Sequence, residues 1–263
     1  MAQIRIGVSG WSYRSWRGSF YPDGLPRSEE LAYAGGVFDT LEVNGTFYSL
    51  QKPATFRDWA RSVPDDFRFA LKGSRYITHD KKLKDPRPAL GNFLASGLLA
   101  LGRKLGPVLW QFPNRFGFDP ERLDSFLGML PKDTDGAARL ARHHDERTTD
   151  VLVVPPDDNH RIRHAVEPRD ASWFVPELAA ILRRHGIALA ISHASEWTWA
   201  EEITAGFVYL RLHGPGKVYA SRYSDDDLDC WAARIRTWSE AGEPGDARRI
   251  TDRSPPARKE RDV

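Results

Sequence analysis

Seven short, almost continuously apolar runs recur along the chain, at residues 4–8, 40–43, 67–71, 107–112, 164–166, 187–191 and 207–212. Strict alternation of apolar and polar residues would describe a sheet with one wet face. Uninterrupted apolar runs describe strands covered on both faces, as in a parallel sheet. Helical stripes lie between them. Phe56, Trp59, Ala60 and Val63 share a face and stop at Pro64; Leu123, Phe126, Leu127 and Leu130 do so before Pro131. Leu178, Ile181 and Leu182 precede Gly186, placed as a C′ residue. Ser224 and Asp227 open a capping-box-like start to a stripe of Leu228, Trp231, Ala232, Ile235 and Trp238, with Cys230 beside it as a small packing residue. Strand–helix repetition without a long linker implies βαβ units. The expected fold class is α/β, a TIM-type (β/α) barrel with seven recognisable strands and no eighth. The barrel domain is expected over 4–241, with residues 242–263 an irregular or disordered tail rich in Pro, Arg and Asp. Residues 133–163 read as an insertion, part loop and part helix (137–145).

The chain has 263 residues, 41% hydrophobic and 28% charged, enough for one large core. Its 38 basic and 36 acidic side chains leave a net charge of +2. That balance argues against a dedicated nucleic-acid or anionic-membrane partner. A single cysteine excludes an internal disulfide and a cysteine metal cage. No signal-peptide pattern or run of roughly 20 apolar residues occurs, so a cytoplasmic location is expected. The arginine-rich tail (Arg248, Arg249, Arg253, Arg258, Arg261) keeps a non-catalytic or nucleic-acid-binding alternative open, although Asp246, Asp252, Glu260 and Asp262 offset its charge.

In a parallel barrel, polar residues at the carboxyl ends of strands point into the mouth. The runs here end in Ser9-Gly10-Trp11, Glu42-Val43-Asn44, Lys72, Gln111, Glu167-Pro168-Arg169, Ser192-His193 and Arg211-Leu212-His213-Gly214. Burying so many charges at one end is unfavourable unless they pair or serve a ligand. One reading is a structural ionic network among Glu42, Glu167, Lys72, Arg169 and Arg211. The other is an active site for a small anionic or sugar-like ligand. Two carboxylates, Glu42 and Glu167, would then work as acid and base, and Lys72 or His213 would protonate or stabilise an anion.

Other constellations are weaker. The loop His213-Gly214-Pro215-Gly216-Lys217 is either a Gly-Pro turn or a backbone phosphate cradle. Glu42, Glu167, His193 and His213 would make a carboxylate–imidazole metal set, the basis for a metal-dependent phosphodiesterase or isomerase alternative. No compact metal motif, P-loop, GxGxxG or GxSxG is present. No particular cofactor or oligomeric state is implied. Trp11, Tyr13, Trp16, Phe20, Tyr21, Phe47 and Tyr48 follow the first two runs, as core or as stacking faces for a ligand.

The motifs Gly7-Val8-Ser9-Gly10-Trp11-Ser12-Tyr13, Glu42-Val43-Asn44-Gly45-Thr46-Phe47-Tyr48, Phe69-Ala70-Leu71-Lys72 with His79, Leu109-Trp110-Gln111-Phe112-Pro113, Ala165-Val166-Glu167-Pro168-Arg169 and Tyr209-Leu210-Arg211-Leu212-His213-Gly214 together resemble the YecE-like family, domain of unknown function 72. The resemblance runs from residue 4 to about residue 240. It implies a TIM-type barrel and a site drawn from Glu42, Asn44, Tyr48, Lys72, Gln111, Glu167, Arg169, Arg211 and His213; Trp11, Gly214 and Tyr219 are further ligand-binding candidates. It implies no agreed activity. Family members continue past a segment like Arg261-Asp262-Val263 into a last strand and a closing helix. By that pattern this chain is expected to be truncated, with an open strand edge.

Overall fold

A computed structural model describes residues 2–216, 221–252 and 261–263. Among them seven strands follow in chain order: β1 (Gly7–Ser9), β2 (Thr40–Val43), β3 (Arg68–Lys72), β4 (Leu105–Gln111), β5 (His164–Glu167), β6 (Ala188–His193) and β7 (Tyr209–Leu212). The α-helices are α1 (Glu30–Val37), α2 (Gly45–Tyr48), α3 (Pro53–Arg61), α4 (Arg87–Ala95), α5 (Pro120–Met129), α6 (Thr134–Ala141), α7 (Pro176–His185) and α8 (Asp225–Ser239). The chain is therefore an α/β protein with seven parallel strands. No helix among the described residues is long and apolar enough to cross a membrane.

Two compact units divide the chain. The first comprises Ile6–Trp110 and Met129–Arg163. In it β1, β2, β3 and β4 pair in parallel in chain order, with Ser9 beside Glu42, Val43 beside Leu71 and Lys72 beside Leu109. Gly7 explains why β1 begins where it does. A Cβ there would lie 1.9 Å from the Thr40 carbonyl oxygen, so only glycine allows the two strands to approach. The expected first strand over 4–8 is thus shortened, and Ile4 and Ile6 are exposed. Helix α4 has no recognisable stripe because it is buried nearly all round. Helix α6 starts three residues earlier than the expected 137–145 segment, because the Asp133 carboxylate accepts from the Gly136 N–H and caps it.

The second unit comprises Met1–Arg5, Gln111–Gly128 and His164–Val263. Here β5, β6 and β7 pair in parallel. Ile191, Ile203, Val208, Trp231 and Trp238 form a core on one face, with Leu210, Ile235 and Val263 against it. The capping box of Ser224 and Asp227 starts α8 as expected. Three of its assignments need correction. Ala232, placed on the stripe, is exposed beside Trp231. Cys230 is exposed, because it sits one residue, about 100° around the helix, from Trp231. Leu228 is exposed too, in the first turn ahead of the buried Trp231–Trp238 face.

Residues near the C-terminus are held in place. Glu201 accepts from Arg234 at 2.7 Å and from the Arg248 N–H at 2.8 Å. Glu202 accepts from the N–H groups of Ile250 and Thr251 at 2.8 and 3.0 Å. Asp262 bridges Phe207 in parallel, and its carbonyl accepts from Val208 N–H at 2.8 Å. On the other side, Arg5 N–H donates to Val263 at 2.8 Å and Val263 N–H donates to Gln3 at 3.0 Å. Asp262 thus lies beside Phe207–Val208, just ahead of β7, next to one of the two strands where an open edge is expected. Arg261 is buried, Arg249 pairs with Glu243 and Arg248 lies over Trp199, so these three arginines make internal contacts; Arg253 and Arg258 lie outside the described residues.

Candidate functional site

The register of β5–β7 decides which side chains meet. Ser192 pairs with Arg211, and His193 with Leu212. Alternate residues share a face, so Glu167, Ser192, Arg211 and His213 face one way and His193 the other. Glu167, only 1% exposed, is the centre of the cluster. The Arg211 Nη1 donates to both its oxygens, at 3.0 and 2.9 Å. Gln111 Nε2 donates at 2.7 Å and the Ser192 hydroxyl also donates to it. Arg169 pairs with Oε1 at 2.7 Å, and His213 Nε2 stands 4.0 Å away. Gln111 reaches it because the neighbouring Phe112 N–H is bonded to the Glu167 carbonyl at 2.9 Å.

Burial alone would push the Glu167 carboxyl up. The guanidiniums of Arg211 and Arg169, with the Ser192 and Gln111 hydrogen bonds, overcome that and hold it at about 2. Glu167 is thus a permanent carboxylate whose oxygens are already engaged. Its oxygens hold two guanidiniums in place. Arg169 is further fixed by Trp197, with its guanidinium carbon 3.2 Å from the ring centroid, and the same indole packs edge-on to His213 at 4.8 Å. Two guanidiniums are thus gathered on one carboxylate.

The loop after β7 is engaged internally. Gly214, at φ 108°, donates its N–H to the Tyr223 hydroxyl at 3.1 Å, and Gly216 N–H donates to Ser221 Oγ at 3.0 Å. These two donors are thus engaged by Tyr223 and Ser221. Lys217 and the expected ligand residue Tyr219 lie outside the described residues. His193 Nδ1 is 2.7 Å from the same Tyr223 hydroxyl and packs on Trp199 and Trp231, in the apolar layer on the far face from His213. The four-residue metal set is accordingly not assembled, and no cluster of three or more metal-ligating groups occurs among the described residues.

In the first unit a second cluster sits at the ends of β1–β3. Glu42 lies beside Ala70 in register, so Lys72, two residues on, shares its face. Both are buried. Ser9 Oγ donates to Glu42 Oε1 at 2.8 Å, and Asn44 Nδ2 donates to Ser9 Oγ at 2.7 Å. The Lys72 ammonium lies over the Phe47 ring, 4.2 Å from its centroid, and Thr46 Oγ1 donates to the Lys72 carbonyl at 2.7 Å. His79 abuts the other side of this group, edge-on to Phe47 at 4.9 Å. Burial, then Lys72 and Arg75, push His79 down to about 4 against the opposing pull of Asp80, so it is neutral at physiological pH. Two expected ligand residues stand apart from the polar group. Trp11 packs edge-on to Trp59 of α3 at 5.5 Å, and Tyr48 is 69% exposed.

Gln111, Glu167, Arg169, Arg211 and His213 thus meet in one unit; Glu42, Asn44 and Lys72 belong to the other. Ser9, Ser192, His79 and Trp197 complete the two clusters; the serines carried a signal as strand ends and His79 as part of the family resemblance, whereas Trp197 carried none. Trp197 lies four residues beyond β6 in an aperiodic loop.

A parallel α/β protein that gathers buried ionised and amide groups at the carboxyl ends of its strands is the class this geometry defines. The chain belongs to the family described as "Protein of unknown function DUF72", whose model matches residues 5–250. It is 32% identical over 131 residues to UPF0759 protein YecE of Escherichia coli (strain K12), covering 49% of this chain and 44% of that protein. To UPF0759 protein YunF of Bacillus subtilis (strain 168) it is 25% identical over 125 residues, 46% of this chain and 43% of that one. The chain thus matches less than half the length of these curated relatives. Among solved structures, the DUF72 family protein TM1631 from Thermotoga maritima superposes with a TM-score of 0.66 at 26% identity, covering 87% of this chain and 85% of that one. The DUF72 family protein EF0366 from Enterococcus faecalis shares the fold, at a TM-score of 0.61 and 16% identity over 92% and 88%.

Proposed function

We propose that the carboxyl ends of β5–β7 bind the anionic group of a small metabolite, with Arg169 and Arg211 as its contacts and His213 as the proton-carrying group of an enzyme reaction. The frame we propose is a TIM-type (β/α) barrel, supported by the parallel, chain-order pairing within each unit. One observation carries the reading: a fully buried carboxylate, Glu167, is spent on holding two guanidiniums in fixed positions. A purely structural ion pair would need only one cation. Preorganised guanidiniums suit carboxylate and phosphate groups. In this reading Glu167 is a positioning residue, and the acid–base role expected of it passes to His213.

The test is calorimetric titration of the full chain with inorganic phosphate, malonate and ribose 5-phosphate. Saturable binding to at least one is expected, weakened about tenfold or more in Arg169→Gln and Arg211→Gln, with circular dichroism checking that each variant is folded. Absence of saturable binding, or equal binding by the folded variants, overturns the reading.

A further inference from the structure

We propose that a second, independent site for a phosphorylated small molecule with an apolar body lies among α4, α6 and the end of α5. All of its lining belongs to the first unit. An open surface depression of about 470 Å³ is lined by Arg87, Lys132, Arg139 and His143, all of them exposed, together with Met129 and Leu140. The volume is that of a small-molecule site, roughly 300–1,000 Å³. Among the described residues none of these four basic side chains has a hydrogen-bond or ion-pair partner.

The one carboxylate in the lining, Asp133, is already spent. It accepts from the Gly136 N–H at 2.7 Å as the cap of α6. Arg139 lies in the last turn of α6, and His143 follows in the turn just past its end. Three permanent cations and an imidazole thus border one depression, a local excess of positive charge that attracts an anion.

The walls are built rather than incidental. His143 rests its backbone on α4 at Gly91, where a Cβ would lie 2.7 Å from the His143 carbonyl carbon. Asn92 then locks the segment by reciprocal bonds with Asp145, at 3.0 and 2.9 Å. On the opposite wall Lys132 and Thr134 are clamped antiparallel to the 160–162 segment, by Ile162 N–H to Lys132 at 2.9 Å and Thr134 N–H to His160 at 3.0 Å. Cations beside apolar side chains select a ligand with a charged head and an apolar body. A nucleoside monophosphate has that form.

The experiment titrates the full chain with AMP, ribose 5-phosphate and inorganic phosphate by calorimetry. AMP is expected to saturate, to bind more tightly than the other two and to weaken with added salt. The double variant Lys132→Gln/Arg139→Gln should weaken AMP at least tenfold, while Arg169→Gln leaves AMP affinity unchanged. That pair of variants separates this site from the one on β5–β7. No saturable AMP binding, AMP affinity equal to that for inorganic phosphate, or an unaffected double variant would each overturn the proposal.

Discussion

Glu167 carries the larger share of what a single residue can reveal here. Replacing it with glutamine keeps the volume and removes the charge, so Arg169 and Arg211 are left buried against each other without their shared counter-ion. Breaking a buried pair in that way costs about 3–5 kcal/mol. Glu167→Gln should lower the urea-unfolding free energy by that order. The pH dependence follows from the same bonds. The folded-state value of about 2 lies below the ordinary 4.5, so the unfolded chain binds more protons than the folded one between them. The stabilisation is complete above about 4.5 and is lost as the pH falls from there toward 2. It amounts to about 3 kcal/mol. Wild type and Glu167→Gln unfolding curves measured across that window should converge; parallel curves would contradict the charge assignment. Glu167, Arg169, Arg211, His213 and Gln111 were legible in the sequence because each interrupts or ends an apolar run, where a charge is costly without a purpose. Trp197 was not, since nothing in a loop's sequence says which guanidinium it will cover.

At the scale of elements, the strands were read from their apolar runs and α8 from its capping box, because both signals are local. Helix α4 escaped because apolar residues on every side leave no stripe, and the start of β1 escaped because it is set by contact with Thr40, a residue distant in sequence. The turn after β3 shows how such a contact governs the site. Gly73 follows Lys72, and its N–H donates to Leu109 at 2.8 Å. A Cβ at Gly73 would lie 2.4 Å from a ring carbon of Trp110. Trp110 is buried and has nowhere to go without displacing its neighbours. Gly73→Ala is expected to destabilise by about 1–3 kcal/mol and to change the near-ultraviolet circular dichroism of the buried indole. An unchanged spectrum with wild-type stability would mean that β3 and β4 can separate at no cost.

At the scale of the molecule, the decisive contacts join residues that are farthest apart in sequence. Gln3 N–H donates to the Asp262 carboxylate across 259 positions, and Val263 bonds to Gln3 and Arg5. The second unit is consequently assembled from three separate stretches of chain, an arrangement invisible to any periodicity, and residues 261–263 are too few to show a pattern of their own. Arg261 holds this segment in place. It is buried, its Nη1 donates to the Gly242 carbonyl at 2.8 Å, and its charge lies near Glu243. Burial raises the Glu243 carboxyl, and Arg249 and Arg261 draw it back down. Arg261→Ala therefore removes a buried hydrogen bond and one of the guanidiniums near Glu243, with an expected cost of about 1–3 kcal/mol. The loss should be local at first. In hydrogen exchange, the amides of Arg5, Val208 and Val263 should lose protection before those of β2 and β3, because the former bond directly to the 261–263 segment and the latter to other strands of the first unit. Equal loss of protection throughout both sets of amides would show instead that the two units unfold together, and that Arg261 supports the whole chain.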